Sequence, residues 1–246
     1  PGQSITYRWY ADQELGVVYL QDMADFRNHR HHGLIGAIVV EPADATPLDP
    51  VTKLPRWDGT QAIIQRPGEA NVQEMVLLLQ DGLRLFSFGS PLLPLPDPDD
   101  GQLDPEDQGQ KGFNYRCEPF HRLQGMRNPQ PATPVWKVRE GDPLWLRLVV
   151  AADKPRNHSF TVHGHVWQSA PHLGDQSPVT GSLSALSTGS VRNLSFVADK
   201  AGDYAYRTGV FRWALSQGLW GIIRIRSTNC LRRFVQWSQQ VIRQSN

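Results

Sequence analysis

Three histidines fall within eight residues in the run Asn157-His158-Ser159-Phe160-Thr161-Val162-His163-Gly164-His165-Val166-Trp167. Neutral imidazole is a common ligand of borderline transition metals, copper included. His163 and His165 stand at i and i+2, so on a strand both side chains leave one face. Phe160, Val162 and Val166 alternate with polar neighbours, which predicts that half-buried strand. His158 precedes it and is placed to bend toward a separate site. His158, His163 and His165 are therefore the candidate metal ligands, and their alternative role is as hydrogen-bonded packing residues in a core. A second cluster, His29-Arg30-His31-His32 with Asp25 nearby, has the residue types for a small metal site. It reads equally as a solvated loop with His32 beside the Gly33 turn.

The elements that must position these residues are strands. The chain has 246 residues, 21 Gly, 19 Pro and eight Trp, with few long helical periodicities, a composition that favours an all-β fold rich in turns. Net charge is +1, which points away from nucleic acid and from an anionic membrane surface. No run of about 18 apolar residues occurs, so no transmembrane helix is expected. The chain opens on Pro1 without a signal-peptide pattern, so a processed N-terminus or a fragment is expected. Cys117 and Cys230 are the two cysteines; they pair in an oxidising compartment or stay buried and reduced.

From Thr133 to Arg226 the strand signals nearly complete a sandwich. Val135–Val138 is followed by a Glu140-Gly141-Asp142 turn. Leu144–Val150 alternates and then thickens to apolar, the histidine strand comes next, and Asn193–Val197, Gly202–Arg207 and Gly218–Ile225 close the set. Glu74–Gly82 adds an apolar strand ended by a turn. The spacing predicts a Greek-key β-sandwich over 73–226. Within it, 89–112 holds five prolines and six acids and reads as a surface loop. Residues 46–72 read as a polar connector. Ile5–Tyr10, Gly16–Leu20 and Gly36–Val40 read as strands, the last nearly all apolar and so expected to be buried. In 227–246, Leu231, Phe234, Val235, Val241 and Ile242 recur near helical spacing and Asn229 can cap, which predicts a short amphipathic C-terminal helix.

The histidine run resembles the copper-ligand strand of multicopper oxidases, usually H-P-F-H-L-H-G-H. The resemblance extends to Tyr10-Ala11-Asp12, Gly16–Met23 and His32–Pro42, which are similar to the closing half of a cupredoxin domain, and to Gly112–Pro119. It covers roughly residues 5–226 and implies a cupredoxin-like fold of one partial domain (1–45) and one full domain. It also implies a copper-containing assembly, export to the periplasm or the extracellular space, and one-electron oxidation coupled to dioxygen reduction. The ligand positions depart from the pattern. His158 and His163 match the first and third histidines, which in the family bind type 1 and type 2/3 copper, but Thr161 replaces the second. His165 matches a histidine that is not usually a ligand. Gln21 and Met23 replace the two histidines of His-Asp-His. The family's H-C-H-x3-H-x3-G-M falls on Tyr206–Gly221, where Arg207-Thr208-Gly209, or one residue later, provides no cysteine. Trp213 or Ala214 replaces the next histidine, and Gly218 or Leu219 the axial methionine. A blue site needs a thiolate beside imidazoles, so this chain is expected to bind copper weakly or not at all. The resemblance implies a scaffold portion of an oxidase; the alternative is a degenerate cupredoxin that serves as a structural or binding module with no oxidase. Three or four strands cannot bury a sandwich core alone, so a partner polypeptide is expected to supply the opening strands of the first domain.

Overall fold

The computed structural model describes residues 2–26, 28–83, 86–87, 90–91, 109–126, 130–152 and 157–228. The chain folds as strands β1 (Gly16–Gln21), β2 (Ile35–Val40), β3 (Thr46–Leu48), β4 (Gln61–Gln65), β5 (Val72–Leu83), β6 (Phe86–Ser87), β7 (Ser90–Pro91), β8 (Gln110–Phe113) and β9 (Val135–Arg139). It continues with β10 (Pro143–Ala152), β11 (His158–Val162), β12 (Trp167–Gln168), β13 (Val179–Thr180), β14 (Ser182–Leu186), β15 (Val191–Val197), β16 (Gly202–Thr208) and β17 (Trp220–Arg226). A short helix, α1 (Phe211–Leu215), precedes β17. The all-β, cupredoxin-like reading holds.

Two sheets face each other. One runs β15-β10-β5-β4-β3, and β8 joins β5 beyond β4; the other runs β14-β11-β16-β17-β9. Each contains one parallel pair, β5 with β10 and β9 with β17, which requires the chain to cross between sheets rather than meander. The core lies between them and includes Leu77, Leu79, Phe113, Leu146, Leu148, Phe160, Tyr206 and Ile223.

β5 and β10 are buried on both faces. Leu77, Leu79, Leu148 and Val150 point into the main core, whereas Leu78, Val149 and Ala151 form a second cluster with Val17 and the half-buried Tyr19, Ile35, Val39 and Val76. The antiparallel hairpin β1-β2 covers that outer face as a two-stranded sheet of its own. Its docking is specific. The Val17 N–H donates to Asn193 Oδ1 at 3.1 Å, and Asn193 Nδ2 donates back to the Leu15 carbonyl at 3.2 Å. Gly16 has φ +63, and a Cβ there would strike the Asn193 amide at 2.5 Å, so only glycine lets the chain enter the contact.

Several expectations change. Ile5–Tyr10 forms no strand; Ile5, Tyr7, Trp9 and Tyr10 are exposed, because the alternating segment meets no neighbouring strand to complete its ladder. β2 is half-buried rather than buried, since only one of its faces rests on the sheet. The 46–72 stretch contributes β3 and β4 to the first sheet, and β8 takes up residues 110–112 at the end of the Pro- and Asp-rich stretch. The expected C-terminal helix and Cys230 lie outside the described residues apart from 227–228. Cys117 is buried, and burial pushes its thiol up to about 12.

Candidate functional site

β11 begins at His158 and ends at Val162, where Gly164 (φ +73) turns the chain away. His163 and His165 therefore lie beyond the strand and do not share its face, and the three candidate ligands diverge. His163 is exposed; its Nε2 accepts a hydrogen bond from Arg207 Nε at 2.9 Å. Partial burial and the Arg207 charge hold the imidazole below its usual range, so it stays neutral with its lone pair engaged. His165 is buried edge-on against Tyr204, with ring centroids 4.7 Å apart, and its Nδ1 lies 3.1 Å from the His163 carbonyl. It is a packing residue. In the second cluster, residues His29–His32 form a 3-10 turn, and His29 Nδ1 pairs with Asp22 Oδ2 at 2.6 Å rather than with Asp25, whose carboxylate accepts from Asn28. Among the described residues, no three His, Cys, Asp or Glu side chains gather to hold a metal.

His158 is sealed in the core, and its surroundings are unlike any sequence-level expectation. Its Nε2 lies 3.3 Å from Asp81 Oδ2, a contact without the alignment of a full hydrogen bond. The Lys111 ammonium donates to Asp81 Oδ1, and all three side chains are 0% exposed. Trp213 from α1 closes the cluster: the Lys111 ammonium is 5.4 Å from its ring centroid and the His158 ring 5.3 Å away. Such a cation over an indole is favourable in a dry site. Burial raises the Asp81 carboxyl, but the His158 contact and the Lys111 charge outweigh it and hold the group below its ordinary value.

A type 1 copper does not fit here. His158 is the imidazole that the resemblance assigns to it, and an ammonium now shares that imidazole's carboxylate, so a metal cation at His158 would meet a fixed positive charge. The thiolate position offers nothing either. The candidates are Arg207, which binds His163, Thr208, which is buried on β16, and Gly209, where even a Cβ would lie 1.7 Å from Ser159 Oγ.

A second charge cluster fixes the hairpin to the sheet. Arg147, in the middle of β10, donates from Nε to Glu74 on β5 at 2.8 Å and from Nη2 to Glu41 after β2 at 2.7 Å. It also reaches Asn193 Oδ1 at 3.2 Å and stacks 4.7 Å from the Trp145 ring centroid. Burial and the neighbouring Glu74 carboxylate push Glu41 up to about 7 against the pull of Arg147. An open groove beside it is lined by Val39, Glu41, Trp57, Gln61, Glu74 and Val76.

Sequence reasoning missed Asp81, Lys111, Glu41, Glu74 and Arg147. A signal existed for Arg147: a lone charge inside an apolar strand is buried only when paired. Lys111 gave none, because it sits beside a loop rich in charge.

No family model matches the chain, and no curated protein does. Solved structures match its fold. A multicopper oxidase superposes with TM-score 0.55 and 18% identity over 92% of this chain and 61% of that one. The blue copper oxidase from Nitrosomonas europaea gives 0.54 and 20% over 92% and 60%. The chain therefore spans about three-fifths of the length of these oxidases, and what it shares with them is the fold.

Proposed function

We propose that this chain is a cupredoxin scaffold within a multicopper-oxidase-like protein or complex, binding copper weakly or not at all. One-electron oxidation coupled to dioxygen reduction would take place elsewhere in that assembly, and export follows from the same resemblance. The observation that carries the reading is the Lys111–Asp81–His158 cluster, which sets an ammonium on the carboxylate beside the histidine that the resemblance assigns to type 1 copper. Among the described residues, no helix is long and apolar enough to cross a membrane.

Residues 1–45 act in this reading as the closing part of a first cupredoxin domain, and a partner polypeptide supplies its opening strands. Two features support the pairing: the two-stranded sheet β1-β2 and the exposed side chains of Ile5, Tyr7, Trp9 and Tyr10 that precede it in the chain. A partnered native complex should show cross-links from residues 5–20 to another polypeptide. A native structure with these residues bare on every side defeats the pairing.

Metal analysis tests the main reading. The isolated chain loaded with Cu(II) should show no intense visible thiolate-to-copper band, and the native complex should contain stoichiometric copper. An intense blue band from the isolated chain overturns the scaffold assignment. Copper absent from the native complex favours the second reading, a structural or binding module with no oxidase. That reading draws on the same Lys111–Asp81–His158 cluster.

A further inference from the structure

We propose that Lys111 and Asp81 condense into an intramolecular isopeptide bond, with His158 carrying the proton, so that the fold cross-links itself. The proposal rests on the same cluster that carries the reading above, but intact mass tests the bond and copper analysis tests that reading, so the two can fail separately.

The reactants are held as the reaction needs them. Asp81 on β5 and Lys111 on β8 belong to adjacent antiparallel strands, 30 residues apart in sequence, with Nζ in contact with Oδ1. Both side chains are fully buried, and Phe113 and Trp213 flank them in the core. Holding nucleophile and electrophile in contact replaces a bimolecular encounter by an intramolecular one. A lysine attacks only as the free amine, and the proton it must lose has the Asp81 carboxylate in contact to receive it. A third titratable group stands on the far oxygen. His158 Nε2 lies 3.3 Å from Oδ2, its Nδ1 has no hydrogen-bond partner, and its ring packs against Trp213, which holds it in place.

The step balances without any co-reactant. A proton passes from the ammonium to the carboxylate along their contact, giving amine and acid with no change in net charge. The Nζ lone pair adds to Asp81 Cγ, forming the C–N bond as the C=O π bond opens. His158 takes the proton lost by nitrogen and delivers it to the departing oxygen. The C–O bond breaks and water leaves. Ammonium plus carboxylate become one secondary amide and one water, and the imidazole ends as it began. The product replaces two buried charges by one neutral group, which relieves the desolvation penalty that a buried ion pair carries.

The intact mass of the purified, denatured chain decides the matter. The expected value is one water below the sequence mass, with tryptic cleavage after Lys111 lost and a branched peptide joining the Asp81 and Lys111 segments. Full sequence mass with normal cleavage after Lys111 overturns the proposal, as does a lost water that maps elsewhere. Lys111→Arg keeps the cation but forms no such amide, so this variant should show full mass. His158→Phe keeps the ring's bulk; folded by circular dichroism, it should be mostly uncross-linked. Cross-linking as complete as in the unchanged protein removes His158 from the reaction.

Discussion

β5 carries an acid near each end, on opposite faces, and the two have different fates. Glu74 points outward with Val76 and Leu78, pairs with Arg147 and reaches Glu41 through it, beside an open groove. Asp81 points inward with Leu77 and Leu79 and meets Lys111 and His158 in the closed core. The outer cluster joins two carboxylates through one cation, whereas the inner one joins a cation and an imidazole through one carboxylate. What separates them is access to water. At the groove, solvent shares the work of stabilising charge. In the core, each charge depends entirely on its partner, which is why the inner cluster is sensitive to single changes and is where neutralising chemistry is favoured.

The sharpest way to break this contrast is to remove each cation. Lys111→Met strands the Asp81 carboxylate in the core and removes the cross-link with it, so it should cost at least about 3–5 kcal/mol, the usual result of breaking a buried pair. Arg147→Met leaves its acids within reach of groove water and should cost less, about 1–3 kcal/mol, with much of the loss in hairpin docking. Urea denaturation of both variants checks the ranking; equal losses would mean that the groove is as dry as the core. A smaller effect belongs to the histidine turn. Replacing His163 and His165 together by Gln should change stability by about 1–3 kcal/mol, the scale of lost buried hydrogen bonds. Nearly all of it should come from His165, since His163 is exposed. A comparable loss from His163→Gln alone would assign that residue a further task.

The smallest effect has opposite signs in the two clusters. Glu41 rises from an ordinary 4.5 to about 7 in the fold. The folded protein thus holds that proton more tightly, so this contribution is complete below pH 4.5 and is lost as pH climbs toward 7. After solvent screening it amounts to about 1 kcal/mol. In the uncondensed chain Asp81 is lowered instead, so its contribution is present above its ordinary 3.8 and fades as pH falls further. Melting temperatures between pH 4.5 and 8 should decline in the unchanged protein and decline less in Glu41→Gln. Identical slopes would show that Glu41 does not titrate in that window.

The fold was largely legible in sequence because its strands alternate. Leu144–Val150 announced a strand, and its apolar thickening at Val149 and Val150 reflects burial on both faces. β3 and β4 were illegible because short strands in polar, proline-punctuated chain carry little periodicity. Ile5–Tyr10 failed for the reverse reason: its alternation is real, but a strand is a relation between segments, and among the described residues no strand pairs with it. At the site, the missing ligands at Thr161 and Arg207–Gly209 were readable residue by residue. The inner cluster was not, since the pairing of Asp81 with Lys111 depends on which strands become adjacent, and a buried lysine is written with the same letter as a solvated one.

The Val17–Asn193 hydrogen bond that docks the hairpin also sets a schedule. Its partners are 176 residues apart. At about 5–20 residues per second, a ribosome needs roughly 10–35 s to deliver Asn193 after Val17. During that interval β1 and β2 can pair, because their contact is local, but the apolar face formed by Val17, Tyr19 and Val39 waits first for β5, then for β10, and last for Asn193. The order of synthesis thus places this hairpin, though made before those strands, after them in reaching its final position. Its protection during translation must come from a chaperone or from a strand already finished.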